Sequence, residues 1–518
     1  MHSLDYLIII LYLVGLTVLS LVLTRKTSST KDYLLGGGKT PWWAAALTYL
    51  MALTSTLSLV SIPGEAYNNG LRLFLVGLMG PFMAIIFFHI FIKFYFRTQT
   101  FTPFKYLEQR FDNHIRTVIG SIYLFSRIVY LAIVLFSCSI IFVGAADWKP
   151  WTGILLIGGV SLVFTILGGF KAVVWTNVVQ FVILTGGLLA AVIVCILYVN
   201  GGFFGVFSYA FENGRGFNVL SEKDFFSFDP HVRITFWIML FSATLMYMFY
   251  CSADQMAIQP LLSTGSLKKA RRSFLSSIIM FLPLTAVFYF LGLAMFAYYG
   301  QHPDPAGNPS GDTALFRFMT NMMPTPIPGL VVSGMLAAAI STVASGYSAI
   351  SSVITKDFYL RLFKPDATEI QQVRFSRKAT LLAGIVAIIM ALMVVFTSSR
   401  LGETVIEAGA IWGSISALIP VIFFIAVMCP RCNSNHALGA LIAGFIVMVA
   451  TIIWYSYSKL TGNPISFMML QIPCSITVIL YGTIVPWLFG TMPSNDKIEN
   501  LTIWTMNKSD VSKNGYVN

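Results

Sequence analysis

One apolar stretch, Gly334-Met-Leu-Ala-Ala-Ala-Ile-Ser-Thr-Val-Ala-Ser-Gly-Tyr-Ser348, is crowded with hydroxyl side chains. Ser341, Ser345, Ser348 and Ser352 follow one another at intervals of 4, 3 and 4 residues. On a helix they share one face. Ala338 lies one turn before Ser341 and Thr342, and the run closes on Lys356-Asp357. Ser341 therefore falls near the middle of a membrane-length segment. Neutral hydroxyls beside a backbone carbonyl are oxygen ligands for a hard, weakly held cation such as Na⁺, which a Lys or Arg would repel. Small residues also let helices pack closely, and the residue types leave both readings open.

A second cluster, Met51 to Tyr67, holds Thr54, Ser55, Thr56 and Ser58 and then Pro63-Gly64. Interrupted helices near the bilayer midplane often bind solutes and ions through freed carbonyls. Met51 to Thr54 is mid-span, yet no Gly or Pro marks a break there. Gly168-Gly-Phe-Lys-Ala-Val-Val-Trp-Thr-Asn177 reads as a tight turn feeding the next span. Tyr247, Tyr250 and Gln255 are polar groups on another apolar run. Arg127 alone lies well inside a span. It either snorkels toward the headgroups or grips a carboxylate with its planar fork. Asp254 and Glu407 lie near helix ends with no visible partner. Cys429-Pro-Arg-Cys432, with His436, supplies three ligands where structural zinc needs four, so no transition metal is expected there.

The elements that must carry these residues follow from composition. Of 518 residues, 57% are hydrophobic and 10% charged. A soluble domain carries roughly 25% charged residues, so a cytosolic enzyme is excluded. Thirteen apolar runs are expected to span: about 5–24, 42–61, 71–95, 117–145, 151–168, 172–198, 234–253, 274–299, 328–354, 379–398, 403–428, 437–456 and 467–489. They are long and continuous, which excludes the alternating strands of a membrane barrel. No small-residue cleavage site follows the first run, which reads as a spanning helix. With the N-terminus outside and the C-terminus in the cytoplasm, the inner loops hold roughly three times as many Lys and Arg as the outer ones. That asymmetry accounts for the net charge of +12 without nucleic acid. Loops 199–233 and 300–327 are long and read equally as short lids or as plain connectors, and the polar tail 490–518 is expected to be disordered.

Four stretches resemble the solute:sodium symporter family of sodium/glucose, sodium/iodide, sodium/monocarboxylate and sialic-acid transporters. They are Ser61-Ile-Pro-Gly-Glu-Ala-Tyr67, Lys105-Tyr-Leu-Glu-Gln-Arg-Phe111, Gly169-Phe-Lys-Ala-Val-Val-Trp-Thr-Asn177 with Gln180, and Ala337-Ala-Ala-Ile-Ser-Thr-Val-Ala-Ser345 with Lys356-Asp357. They come in the family's order across residues 40–430. The resemblance implies an all-α polytopic membrane protein with a leucine-transporter-like core of two inverted five-helix repeats, about 42–198 and 234–428, in one transmembrane unit over 1–489. It implies sodium-driven uptake of a small polar organic solute (a sugar, sialic acid or another organic acid) by a monomeric plasma-membrane transporter, not an enzyme. Carried over, the sodium ligands are the carbonyls of Met51, Thr54 and Ala338 and the hydroxyls of Ser341 and Thr342.

Two positions depart from members with a second sodium. Asn177 stands where they have an Asp, and Ala344 where they have Ser or Thr, leaving Asn177 and Ser345 as a poor cage. The sugar branch's polar ligands align with Leu53, Gly77 and Ser58, which argues against a galactose-like site. Tyr250 matches an aromatic gate, and the sialic-acid branch has an Arg on the span of Arg127 that grips a carboxylate. The solute and gate residues expected are thus Ser55, Ser58, Arg127, Tyr247, Tyr250 and Gln255. Rival readings are a membrane sensor, a channel and an intramembrane enzyme. Residues 490–518 are too few for a signalling domain, and no acid–base pair supports an enzyme.

Overall fold

The computed structural model describes residues 2–23, 29–54, 56–98, 100–146, 149–217, 224–305, 307–309, 311–401 and 405–506. Among them there is no strand. That follows from the apolar composition, because in hydrocarbon each backbone N–H and C=O must be satisfied within its own segment.

The first half runs α1 (Ser3–Leu23), α2 (Thr30–Leu35), α3 (Trp42–Leu53), α4 (Thr56–Asn69), α5 (Phe74–Arg97), α6 (Phe104–Arg110), α7 (Asn113–Ala146), α8 (Pro150–Tyr198) and α9 (Gly202–Glu212). The second runs α10 (Phe236–Ser252), α11 (Gln255–Leu262), α12 (Leu267–Gln301), α13 (Gly311–Met322), α14 (Ile327–Val353), α15 (Glu369–Leu401), α16 (Val405–Met428), α17 (Ser434–Leu460), α18 (Ile472–Phe489) and α19 (Asn495–Ile498). By length and apolarity ten described helices can cross a membrane, or eleven if α10 and α11 form one span. Ten is three fewer than the thirteen runs of the sequence. The α3–α4 stretch is cut into two short helices, the run of α10 stops at the break before α11, and residues 150–198 form one continuous helical run.

That run is not straight. As one helix its 49 residues would measure ~73 Å, more than twice the ~30 Å of hydrocarbon. Gly169, at φ 56° and ψ −156°, bends it. A Cβ there would come within 2.6 Å of the Tyr33 carbonyl oxygen. The Tyr33 hydroxyl in turn donates to the Thr165 and Ile166 carbonyls, both at 3.3 Å.

α14 is the axis of the fold. It packs chiefly on α8, and nearly all of its residues are buried. Small residues permit this closeness: at Gly187 of α8 an added Cβ would meet the Leu330 carbonyl oxygen at 2.9 Å. At its far end α14 leads into a π-helix, Ile354–Phe363, that carries Asp357. Buried Asp357 accepts from Arg116 Nε at 2.7 Å and from the Thr102 hydroxyl at 3.0 Å. Arg116 also pairs with Glu108. These bonds tie α14 to α7 and to the segment before α6 at the end of the bundle that carries the basic loops.

The two long loops are partly helical. α9 stacks Phe203 on Phe290 of α12, and α13 lies against α4 and α7. Residues 490–506, the start of the expected disordered tail, pack on the basic end instead. Leu501 accepts from the Tyr106 hydroxyl at 2.6 Å, and Trp504 Nε1 donates to the Met428 carbonyl at 2.7 Å. Residues 507–518 lie outside the described residues, as do Arg25, Lys26 and Lys223 of the charge count.

The bend at Gly169 yields a first prediction. Gly169→Ala is expected to destabilise the detergent-solubilised protein by about 2 kcal/mol or more, read as a lower unfolding temperature. Gly159→Ala, where an added Cβ meets nothing within 4 Å, is the control and should change nothing. Equal unfolding temperatures for the two variants would show that the bend does not require glycine.

Candidate functional site

The break that the sequence did not reveal is present. α3 stops at Leu53, and Thr54 turns to extended backbone (φ −101°, ψ 95°) with its N–H bonded to the Leu50 carbonyl at 3.0 Å. A helix end leaves its last carbonyls without intrahelical donors. Met51 and Thr54 are both buried at this end. Across from it, mid-α14 presents Ala338, Ser341 and Thr342, all fully buried. The Thr342 hydroxyl lies 3.5 Å from the Thr54 carbonyl oxygen, and the Ser341 hydroxyl donates to the Ala338 carbonyl at 3.0 Å. Thr54 Oγ1 is buried with no hydrogen-bond partner. The residues expected to bind sodium thus lie on two facing elements, with oxygens of both in contact. The donor set is carbonyl and hydroxyl oxygen, which fits a hard monovalent cation.

Beside it, Asn177 of α8 meets Ser345 of α14, its Nδ2 donating to the hydroxyl at 3.4 Å. Asn177 Oδ1 is buried without a hydrogen-bond partner, as are both polar atoms of Gln180 one turn on.

Arg127 does not snorkel. It is 2% exposed, and its Nη2 lies 2.7 Å from Oδ1 of Asp254, also 2% exposed. This corrects the expectation that Asp254 is unpaired. The pairing was hidden because 127 residues of sequence separate the two groups, and only the fold, in which α7 and α10 both pack on α16, brings them together. The chain bends by 45° between α10 and α11. Asp254 sits in that bend and caps α11, accepting from the Met256 N–H at 2.9 Å. The Tyr123 hydroxyl donates to the same oxygen at 3.2 Å. Tyr123, Tyr130, Phe249 and Trp412 ring the guanidinium, their centroids 4.9–5.7 Å from Cζ. Cation–π attraction adds to the ion pair where water is excluded. Tyr130 and Trp412 themselves pack at 4.5 Å between centroids. Sequence reasoning missed Trp412 and Tyr130; no spacing in the chain links α7 with α16.

Tyr247 and Tyr250 stand edge to face at 6.1 Å. Tyr247 fills the space over Gly80 of α5, where an added Cβ would come within 2.0 Å of its ring. Gln255 faces the basic end, its Nε2 donating to the Phe101 carbonyl at 2.9 Å. Ser58 is half-buried on α4, and Ser55 lies outside the described residues, as does the side chain of Glu407. A cleft of about 180 Å³ opens between α10, α16 and the turn before α18, and Phe249 and Trp412 line it.

Cys432 is buried and Cys429 half-buried. Burial pushes the Cys432 thiol up to about 12, far from the thiolate that binds metal. No group of three or more His, Cys, Asp or Glu able to hold a metal exists among the described residues.

Comparison with known proteins identifies the family and the fold. Residues 33–444 match the family model described as the sodium:solute symporter family. The chain is 25% identical over 514 residues to a sodium/sialic acid symporter of Aliivibrio fischeri, covering 96% of both chains. It is 26% identical over 449 residues to the sodium-dependent multivitamin transporter of Oryctolagus cuniculus, covering 85% of this chain and 69% of that one. Among solved structures, a substrate-bound, outward-open Na⁺-coupled sialic acid symporter superposes with a TM-score of 0.83 at 23% identity, over 95% of this chain and all of that one. A nucleobase-cation-symport-1 family transporter superposes with a TM-score of 0.55 at 12% identity, over 92% and 99%.

Proposed function

The chain belongs to the sodium:solute symporter family, a multi-pass membrane transporter that imports solute with sodium and is not an enzyme, and we propose that it imports a small organic acid with one sodium ion. The observation that carries the sodium assignment is the meeting of Thr342 Oγ1 with the Thr54 carbonyl at the break after α3. Met51, Thr54 and Ala338 supply carbonyls to the ion, and Ser341 and Thr342 supply hydroxyls. The acid is proposed from two supports. Arg127 is the buried cation beside the cleft, and relatives carry the names sialic acid symporter and monocarboxylate transporter. Tyr247 and Tyr250 serve as aromatic gate.

The proposed frame has thirteen crossings, with α3–α4 and α10–α11 as one broken span each and α8 as two. The core repeats occupy about 42–198 and 234–428 of a transmembrane unit over 1–489. It works as a monomer in the plasma membrane, N-terminus outside, with the lysine- and arginine-rich end in the cytoplasm. Alternating access about the two interrupted helices moves the solute. Uptake of labelled sialic acid and lactate into proteoliposomes, with and without an inward sodium gradient, tests the reading. Accumulation independent of sodium, or confined to neutral solutes, would refute it.

Ser341→Ala removes one of two hydroxyl ligands, and sodium affinity should weaken about tenfold, or ~1.4 kcal/mol. Unchanged sodium affinity of uptake would place the ion elsewhere.

Arg127→Lys keeps the charge and loses the fork. Uptake of acids should fall at least tenfold, with neutral solutes still not accepted. An Arg127→Lys variant that takes up acids like the wild type would remove Arg127 from the solute site.

One sodium is proposed because Asn177 offers a neutral amide and Ala344 a methyl where a second ion would need charge and oxygen. Each charge moved inward gains about 2.3 kcal/mol per 100 mV. One sodium with one monoanion moves no net charge, so uptake of a monoanion should generate almost no current, with a Hill coefficient for sodium near one. A current of one charge per monoanion would show a second sodium.

A further inference from the structure

Arg127 uses only part of its hydrogen-bonding capacity. A guanidinium offers five N–H donors. Here Nη2 faces Asp254 at 2.7 Å, Nη1 reaches only the Met256 sulfur at 3.7 Å, and Nε is buried with no hydrogen-bond partner. Asp254 is better supplied: Tyr123 and the Met256 N–H both donate to the oxygen that faces Arg127. Of the two partners, the carboxylate can lose the other and keep hydrogen bonds, whereas the guanidinium has donors to spare for a second carboxylate. Two of the rings around it, Phe249 and Trp412, also line the cleft.

We propose that Asp254 is the resident occupant of Arg127 and that the solute's carboxylate displaces it. The proposal rests on the reading of Arg127 as the solute's carboxylate partner. On arrival of the acid the guanidinium turns to the new carboxylate, and Asp254 falls back on Tyr123 and the Met256 N–H. Charge then explains why sodium must come too. Arg127 and Asp254 together are neutral, and the acid brings a buried negative charge, which a low-dielectric interior opposes strongly. One Na⁺ returns the set to neutrality. Since Asp254 caps α11 at the 45° bend, the exchange acts on the second interrupted helix, a moving part of the proposed transport cycle.

The test uses the full-length protein in proteoliposomes and whichever of sialic acid and lactate it accumulates. Asp254→Asn should bind that acid about tenfold more tightly and without sodium, because the competitor is gone and Arg127 alone balances the acid. Arg127→Gln should bind it weakly, and the double variant should match Arg127→Gln. In the wild type with isotope-labelled aspartate, the infrared carboxylate band of Asp254 should shift when acid and sodium are added together and not with sodium alone, a readout that needs no variant to fold. If Asp254→Asn binds the acid no tighter and keeps its sodium requirement, or the band does not shift, Asp254 is not displaced; weak acid binding by Arg127→Gln would still uphold the carboxylate reading. If the double variant recovers wild-type acid uptake, the pair is structural and both readings fall.

Discussion

The two interrupted helices break at residues buried inside the protein, Thr54 and Asp254, and every other feature of the site answers to that. A free backbone carbonyl in hydrocarbon costs several kcal/mol, so neither α3–α4 nor α10–α11 could stop in mid-bundle on its own. Each break is covered. At the first, α14 brings the Thr342 hydroxyl to the Thr54 carbonyl. At the second, Asp254 takes the Met256 N–H, and α7 answers with Tyr123 and Arg127. The burial of α14 is therefore a requirement of the chemistry: a helix in contact with lipid could not supply the polar cover.

Charges inside the bundle obey the same rule. Asp254 and Asp357 are both buried, and each meets an arginine of α7, Arg127 and Arg116. Removing one partner from such a pair typically costs 3–5 kcal/mol, while the net gain from forming it is small. These pairs are thus better read as fixing arrangement than as adding stability. Arg116 and Asp357 join α7 to the end of α14 at the basic face. Arg127 and Asp254 join α7 to the bend of the second broken helix. One helix holds the element that carries the proposed sodium ligands at one level and the element that faces the cleft at another.

Much of this was legible in the chain. The spans are continuous apolar runs, and lipid leaves a helix as the only solution for them. The turn at Gly168-Gly169 was readable because only glycine takes its backbone angles. The serine face of α14 was readable because i, i+4 spacing is local. The break at Thr54 was not: no Gly or Pro announces it, and it exists because α14 offers partners for the freed groups. The expectation that residues from 490 onward lack order failed as far as residue 506, since a polar-looking segment gained partners in Tyr106 and Met428 from elsewhere in the fold.

By itself the sequence determined that this is an all-helical membrane protein, where its hydroxyl clusters lie, and through four motifs in order which family it resembles. These are properties of composition and near-neighbour spacing. Only the tertiary structure decided which partners the charged residues take. Arg127, read alone, had both snorkelling and carboxylate binding open to it, with snorkelling the simpler reading, and Asp254 had no visible partner. Their distance of 2.7 Å, and the rings of α7, α10 and α16 around them, come from packing between segments far apart in the chain, where no periodicity in the sequence carries the signal.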